Sequence, residues 1–278
     1  RVALVSTHGY VAARPPLGAK DTGGQVVYVL ETARKMAQMG YAVDVWTRQF
    51  QDQPECETLA PHARILRVPC GGKHFIPKEY LYRHLDEWSE GAIALMERQQ
   101  LRYLFVNSHY WDGGLAGESL ARANAVPHLH TPHSLGLWKQ QQMSQDYPDS
   151  AQALEQQYNF SERIRLEREM YARAHKVLAT TPVQTDMLRS GYGLASDRLA
   201  LVPPGYDDNR YFPVGEASRQ AIRRRLGFQG KVVMAIGRLA RNKGYDLLID
   251  AFRLVAQRFP EANLRLAVGG ENVGTEEA

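Results

Sequence analysis

Short strand-like runs of hydrophobic residues alternate along the chain with longer runs that have helical spacing. Val2–Ser6 is typical of a buried strand, and from Gln25 to Met39 apolar residues recur every three or four positions, with Gly40 placed to end the helix. Further strands are predicted at Ala42–Trp46, Arg64–Val68, Tyr103–Asn107, His128–Thr131, Lys176–Thr180 and Arg198–Val202, and helices at Leu81–Glu97, Gly114–Ala123 and Glu155–Ala174. This alternation predicts an α/β fold with a doubly wound parallel sheet, in which ligands bind beyond the carboxyl ends of the strands.

A segment rich in proline and polar residues, 202–213, interrupts this pattern. Pro203, Pro204 and Gly205 precede an Asp-Asp-Asn cluster, which is typical of a linker or domain crossing. Helices at 217–226 and 245–259 then alternate with strands at 231–236 and 264–268. We therefore predict one domain over residues 1–204 and the beginning of a second α/β domain over residues 205–278. Because the chain opens directly in a strand and stops soon after another, we expect it to be part of a longer polypeptide.

Composition narrows the class of protein. Of the 278 residues 44% are hydrophobic and 23% charged, as in soluble globular proteins. No apolar run is long enough for a membrane span, and no secretory leader opens the chain. Cys56 and Cys70 form no C-x-x-C pair, which fits a reducing, cytoplasmic location. The net charge of +4 comes without basic runs interleaved with aromatics, so small phosphorylated ligands are expected rather than nucleic acid.

The first segment with candidate chemistry is Asp21–Gln25, directly before the first predicted helix. Gly23 and Gly24 allow the backbone to approach a ligand closely, and the helix N-terminus favours an anion or a hydroxyl group. Gln25 adds an amide that both donates and accepts hydrogen bonds. An ordinary capping turn is the structural alternative. Neither a G-x-G-x-x-G nor a G-x-x-x-x-G-K-[ST] motif is present, which argues against a dehydrogenase or a P-loop protein.

The second segment contains three histidines within six residues, namely His128, His130 and His133. Zinc binding is one interpretation, because neutral imidazole is a common ligand. However, the cluster contains no acidic residue and no H-E-x-x-H spacing. We instead expect a strand whose tip carries His133 and Ser134 into a crevice, with Lys139 about one helical turn further on. For His128 and His130, a structural role in the core is the alternative.

The third segment, Gly237–Gly244, follows a predicted strand of the second domain and contains Arg238 and Lys243. Two fixed cations at the exit of a parallel strand suit a diphosphate that gains charge as its bond breaks. A solvated basic loop is the alternative.

Together these segments resemble the retaining glycosyltransferases of family 4, specifically the branch that contains sucrose-phosphate synthase and sucrose synthase. Within that branch, the resemblance is strongest to the bacterial mannosylfructose-phosphate synthases. The matching stretches are Asp21–Val29, Gly71–Glu79, Ser108–Gly117, Thr131–Gly136, Val202–Gly205 and Gly237–Gly244. The resemblance implies the GT-B fold, in which two Rossmann-like domains face a cleft. The N-terminal domain would bind the acceptor and the C-terminal domain, incomplete in this chain, the nucleotide-sugar donor.

The resemblance also implies individual site residues. Acceptor contacts would come from Gly24, Gln25, Lys78, Tyr110, Ser134, Lys139 and Arg163. Of these, Lys78, Lys139 and Arg163 would hold the 6-phosphate of fructose 6-phosphate, with each charge-assisted contact worth about 1.5–3 kcal/mol. Since Arg163 lies in a charge-rich helix that would normally be a solvated face, Arg165 competes for the same role.

For the donor, the resemblance implies contacts from Gly23, Gly24, Arg238 and Lys243. His133 would lie beside the transferred sugar, and Arg238 and Lys243 would stabilise the departing diphosphate. His133, Arg238 and Lys243 are therefore the implied catalytic residues. No cofactor and no metal ion are expected, and the expected partners are small-molecule substrates.

The implied reaction transfers a hexosyl group from GDP-mannose, UDP-glucose or ADP-glucose to the C2 hydroxyl of fructose 6-phosphate, with retention of configuration. The product would be mannosylfructose-phosphate or sucrose 6-phosphate. No pair of carboxylates suited to double displacement stands out, which agrees with a front-face mechanism. The family's Glu-x7-Glu segment and base pocket are not found here, and Gly269–Glu271 is the nearest remnant. A non-catalytic module that binds a sugar phosphate is therefore the alternative function.

Overall fold

The computed structural model describes residues 1–15, 23–238 and 243–269, and it divides the chain into two compact units. Unit 1 comprises residues 1–15 and 20–204, and unit 2 comprises residues 16–19 and 205–278. In the part of the chain that the structure describes, no helix combines the length and the apolar character that a membrane crossing requires.

In unit 1, the described strands form a single eight-stranded sheet. They are β1 (Val2–Val5), β2 (Val43–Gln49), β3 (Cys56–Ala60), β4 (Ala63–Pro69), β5 (Val106–His109), β6 (His128–Thr131), β7 (Lys176–Ala179) and β8 (Leu199–Leu201). Their order in space is β3-β4-β2-β1-β5-β6-β7-β8, and every pair is parallel except β3 with β4. All four residues of β1 are buried, because a central parallel strand is covered on both faces.

Helices cover both faces of this sheet. They are α1 (Gly24–Gln38), α2 (Leu85–Arg98), α3 (Tyr110–Asn124), α4 (Gly136–Asp146), α5 (Ala151–Tyr158), α6 (Phe160–Arg173) and α7 (Pro182–Tyr192). Successive side chains of a strand point to opposite faces, so Ala3 and Val5 pack in the core formed with α2 and α3, whereas Val2 and Leu4 pack in the core formed with α1. A third cluster lies around α6 and α7.

Unit 2 contains a parallel pair of strands connected through a helix. β9 (Val232–Arg238) and β10 (Asn263–Gly269) pair in register, and α9 (Tyr245–Arg258) lies between them in sequence. α8 (Glu216–Arg225) precedes β9. All four elements lie within two residues of their predicted positions.

The structure also departs from the sequence-based prediction at several elements. The single helix predicted at Glu155–Ala174 is wrong, because Asn159 adopts a left-handed conformation (φ 52°) and separates α5 from α6. Helix α3 starts at Tyr110 and not at Gly114. The missing side chain of Gly113 allows this early turn, since a Cβ there would lie 2.9 Å from the Val5 carbonyl oxygen. Strand β3 and helices α4 and α7 were not predicted.

The strand order reverses at β1, which has β2 on one side and β5 on the other. In open α/β sheets, ligands bind outside the carboxyl ends of the strands at such a switch point. The residues that follow β1, β5 and β6 therefore define the candidate site in unit 1.

Candidate functional site

A buried carboxylate ties the end of β1 to the start of α3. The Thr7 hydroxyl donates to Asp112 Oδ2 over 2.6 Å, and His8 Nδ1 lies 2.9 Å from Asp112 Oδ1. Asp112 is fully buried, and the His8 ring contacts the Tyr110 ring with centroids 4.7 Å apart. His8 and Asp112 were not singled out from the sequence, although the position of His8 just after a central strand was an available signal.

The predicted glycines lie at the open N-terminus of α1. Gly23 is the residue that precedes the helix, and a Cβ on Gly23 or Gly24 would meet no atom within 4 Å. Gln25 donates from Nε2 to Ser6 Oγ over 3.1 Å, so its amide is oriented from the end of β1. The neighbouring Asp21 falls outside the described residues. The ligand contacts assigned to these three residues stay predictions.

Two histidines from neighbouring strands form a hydrogen-bonded pair. His109 Nδ1 at the end of β5 lies 3.0 Å from Nε2 of His133, which follows β6. Burial, together with repulsion from His133, holds the pKa of His109 well below its ordinary value. Burial, with repulsion from His8, lowers the pKa of His133 to about 4. Both rings are therefore neutral at pH 7, and His133 is suited to the role of a neutral hydrogen-bonding group rather than to that of a protonated acid.

Two site residues hold uncommon backbone conformations. Tyr110 and His133 have φ angles of 66° and 59°, in the left-handed region that residues other than glycine rarely adopt. Such strain costs on the order of 1–3 kcal/mol per residue and persists only where the surrounding structure fixes it. Backbone strain of this kind is expected where the edge of a sheet carries a functional site.

Arg163 connects two of the predicted acceptor residues, Tyr110 and Ser134. Its Nη1 donates to the Tyr110 hydroxyl over 2.9 Å, and its Nη2 donates to the Ser134 carbonyl over 3.0 Å. The guanidinium also lies over the Tyr110 ring, 4.8 Å from the centroid. Only 3% of the side chain is exposed, so the alternative of a solvated helix face does not hold for Arg163. Arg165 is exposed and pairs with carboxylates of its own helix.

The counter-ion of Arg163 was not singled out from the sequence. Glu167, one turn further along α6, accepts from Arg163 Nε over 2.8 Å and from the Gly136 backbone N–H over 2.9 Å. It also accepts from the Tyr192 hydroxyl. Burial, the largest single effect, lowers the pKa of Arg163, but the charge of Glu167, the nearby tyrosine hydroxyls and the hydrogen bond to Glu167 together outweigh it and raise the pKa above its ordinary value. The spacing of four residues on one helix was the available signal.

The two predicted phosphate lysines lie around the same part of unit 1. Lys78, with 24% of its side chain exposed, has Nζ 3.4 Å from Glu79, and Lys139 Nζ lies 3.9 Å from the centroid of the Tyr158 ring. The Tyr80 hydroxyl donates to a carbonyl of α5, which brings the Lys78 segment against the helix that also carries Tyr158. Burial raises the pKa of Tyr110 to about 12, and the charges of Arg163 and Lys78 oppose that rise.

His128 and His130 are buried in the core of the sheet and share one hydrogen-bond partner. The Ser108 hydroxyl lies 2.7 Å from His128 Nε2 and 2.8 Å from His130 Nδ1, and both rings are buried. Burial lowers the pKa of His128 to about 4 and that of His130 well below its ordinary value. His133 pairs elsewhere, with His109. Among residues 1–15, 23–238 and 243–269, no group of three His, Cys, Asp or Glu side chains is placed to hold a metal ion.

The predicted donor cations belong to unit 2. Arg238 is the last residue of β9, but its side chain lies outside the described part of the structure, as does Glu271. Lys243 is exposed and lies two residues before the start of α9. Their role toward a diphosphate stays a prediction.

Comparison with known proteins gives one family match and a set of similar chains. The model of Glycosyltransferase Family 4 matches residues 22–210. The chain is 60% identical over 277 residues to a mannosylfructose-phosphate synthase of Agrobacterium fabrum, covering 100% of this chain and 61% of that protein. It is 31% identical over 274 residues to a D-inositol 3-phosphate glycosyltransferase of Corynebacterium glutamicum, covering 97% of this chain and 63% of that protein. The chain thus spans somewhat over half the length of the curated relatives it matches.

Among solved structures, a sucrose-phosphate synthase from Thermosynechococcus elongatus superposes with a TM-score of 0.78 at 26% identity, covering 99% of this chain and 64% of that one. This likeness confirms the predicted α/β fold class of the GT-B type. The family match covers more than half of the chain, and it includes both the α1 N-terminus and the β6 edge. The chain belongs to Glycosyltransferase Family 4.

Proposed function

We propose that the protein containing this chain is a retaining hexosyltransferase that uses a nucleotide sugar as donor and fructose 6-phosphate as acceptor. The observation that carries the proposal is the 60% identity, over the whole chain, to a mannosylfructose-phosphate synthase. On that basis the donor is GDP-mannose and the product is mannosylfructose-phosphate. UDP-glucose or ADP-glucose as donor, with sucrose 6-phosphate as product, is the second candidate, supported by the likeness to a sucrose-phosphate synthase.

A phosphorylated acceptor is supported by two independent facts. The names of both relatives, mannosylfructose-phosphate synthase and D-inositol 3-phosphate glycosyltransferase, contain a phosphorylated sugar or polyol. In this chain, Lys78 and Lys139 come from different elements of unit 1, and the buried Arg163 donates to the proposed acceptor residues Tyr110 and Ser134. Cations that converge from separate elements suit a phosphate dianion.

The sugar part of the acceptor would lie along the sheet edge. Tyr110 and Ser134 are held by Arg163, and Gln25 is held by Ser6, so these polar groups are positioned before any ligand binds. Preorganised groups of this kind contribute mainly through orientation of the acceptor hydroxyl.

The mechanism we propose is front-face transfer with retention. The bond from the hexosyl C1 to the phosphate oxygen breaks, a bond from C1 to the acceptor O2 forms on the same face, and the acceptor proton moves to the departing phosphate oxygen. Asp112 and Glu167, the fully buried carboxylates of this region, each accept hydrogen bonds from several donors and so do not suit the role of nucleophile. Arg238, Lys243 and the α1 N-terminus with Gly23 and Gly24 would stabilise the leaving diphosphate.

Neutral His133 would contact the transferred sugar through a hydrogen bond. Because its pKa is lowered to about 4, it does not suit the role of general acid at neutral pH. The proposal includes no metal ion and no cofactor. We place the enzyme in the cytoplasm, which fits the two cysteines, neither of which forms a disulfide in the structure.

The experiment is a donor screen with the full-length protein. Release of nucleoside diphosphate is followed for GDP-mannose, UDP-glucose and ADP-glucose, each with and without fructose 6-phosphate. The proposal predicts release that depends on the acceptor and is fastest with GDP-mannose. Binding of fructose 6-phosphate without release from any donor would instead support the sugar-phosphate-binding module.

A further inference from the structure

We infer that His109 is a positioning residue that places the ring proton of His133 on Nδ1, so that His133 acts as a hydrogen-bond donor. The role of that N–H in catalysis rests on the proposed function, but the position of the proton does not. The inference starts from the 3.0 Å contact between His109 Nδ1 and His133 Nε2. One of these two nitrogens must carry the hydrogen and the other must accept it.

The far side of the His109 ring decides which nitrogen donates. His109 is fully buried, and its Nε2 has no hydrogen-bond partner among the described residues. A proton on that nitrogen would create a buried N–H donor with no acceptor, and such orphaned donors are rare in folded proteins. A bare ring nitrogen is the less costly arrangement. The His109 proton therefore lies on Nδ1, which donates to Nε2 of His133.

This assignment determines what His133 offers to a ligand. A neutral imidazole carries one proton, so when Nε2 accepts from His109 the proton of His133 must lie on Nδ1. His133 Nδ1 makes no hydrogen bond within the described residues, and it is not one of the atoms sealed from solvent. The opposite tautomer would present a lone pair there and would accept from a hydroxyl. His109 thus selects a donor toward the sugar oxygen atoms.

The surroundings hold the pair in this geometry. The ring of Tyr28 packs edge-on against both imidazoles, with its centroid 5.0 Å from that of His133 and 5.8 Å from that of His109. The backbone of His133 lies in the left-handed region, a conformation that persists only where the surrounding structure holds it.

The test is a two-bond ¹H–¹⁵N correlation spectrum of the labelled full-length protein at neutral pH, without substrates. The chain has nine histidines, and His133 is assigned by the cross-peaks that disappear in His133→Gln. The expected result is a protonated, pyrrole-type Nδ1 and an unprotonated, pyridine-type Nε2 for His133. A protonated Nε2 on His133 in the wild-type protein overturns the inference.

A pair of variants tests the part played by His109. In His109→Phe the donor is lost, and we expect His133 to shift toward the Nε2–H tautomer that free imidazole side chains favour. Tyr28→Phe is the control: it keeps the packed ring, and we expect the spectrum of His133 to stay unchanged. If His109→Phe folds, judged by tryptophan fluorescence, and leaves the His133 tautomer unchanged, His109 is not the positioning residue.

The catalytic consequence is measured separately. Loss of one neutral hydrogen bond corresponds to about a twofold to tenfold effect, so kcat/KM of His109→Phe should fall within that range. The fall should come through kcat, with the KM for fructose 6-phosphate unchanged. Because the spectrum needs no turnover, a protein without transferase activity would overturn the proposed function and leave the tautomer result to stand or fall by itself.

Discussion

Replacing Glu167 with leucine would leave the guanidinium of Arg163 in the interior of unit 1 without its counter-ion. The carboxylate accepts from Arg163 Nε, from the Gly136 N–H and from the Tyr192 hydroxyl, and it is fully buried. Breaking a buried ion pair by removing one partner costs about 3–5 kcal/mol, because a desolvated charge remains. Arg163 keeps its bonds to Tyr110 and Ser134, so we expect a loss of about 4 kcal/mol in the free energy of unfolding of unit 1.

The double variant Arg163→Met/Glu167→Leu separates the burial of charge from the loss of packing. Replacing both members of a buried pair with apolar residues is often close to neutral. We therefore expect the double variant to be more stable than Glu167→Leu alone by at least about 2 kcal/mol. Arg165→Ala is the matched control on the same helix, since that arginine is exposed, and it should leave the unfolding midpoint unchanged.

The assay is urea unfolding followed by tryptophan fluorescence. The four tryptophans of this chain, namely Trp46, Trp88, Trp111 and Trp138, all lie in unit 1, so their signal follows the unfolding of that unit. A cost below about 1 kcal/mol for Glu167→Leu, or a double variant less stable than the single one, would refute the argument that the ion pair fixes this region.

Three further predictions follow from the structure. Burial lowers the pKa of four histidines, to about 4 for His128 and His133 and well below the ordinary value for His109 and His130. Below about pH 6.5 these side chains therefore become protonated in the unfolded chain but stay neutral in the folded one. Their contribution to the free energy of unfolding is complete above pH 6.5 and is lost as the pH falls toward 4, with a loss of about 1 kcal/mol for each histidine at pH 5.5. A free energy of unfolding that stays constant between pH 7.5 and 5 in urea titrations would contradict this. Lys139→Gln should raise the KM for fructose 6-phosphate by about tenfold, the equivalent of one charge-assisted contact, and leave turnover of unphosphorylated fructose unchanged; an equal effect on both acceptors would argue against a phosphate contact. Gly113→Ala should lower the free energy of unfolding of unit 1 by about 1–3 kcal/mol, because the new Cβ would lie 2.9 Å from a backbone carbonyl oxygen. Gly23→Ala is the control, and it should have a smaller effect in the same titration because a Cβ there meets no atom within 4 Å.

Local patterns in the sequence predicted most of the fold. The buried strands and amphipathic helices around β1 and α1 follow directly from hydrophobic spacing, and Gly40 has the positive φ expected at the end of a helix. The errors occur where the pattern is weak. β3 is an edge strand with no apolar run, whose residues are all exposed or half-buried, and the break at Asn159 depends on one residue in a continuous polar segment.

The candidate site was only partly predictable for a different reason. Residues that lie at strand ends, such as His133 and Ser134, were predicted because the carboxyl edge of a parallel sheet is where ligands bind. Their partners were not found, because the contacts depend on strand order. His8 and Asp112 are 104 residues apart in sequence, and His109 and His133 are 24 apart. Only tertiary packing of β1, β5 and β6 brings such pairs together.

The most direct test of the transferase assignment is the reaction of the full-length protein with GDP-mannose and fructose 6-phosphate, with the product examined by NMR. The account predicts release of GDP only when fructose 6-phosphate is present, and a mannosyl residue attached to O2 of the acceptor with its α configuration retained. Inversion at the anomeric carbon would contradict front-face transfer. Failure to form a disaccharide phosphate from any of the three donors would contradict the assignment itself.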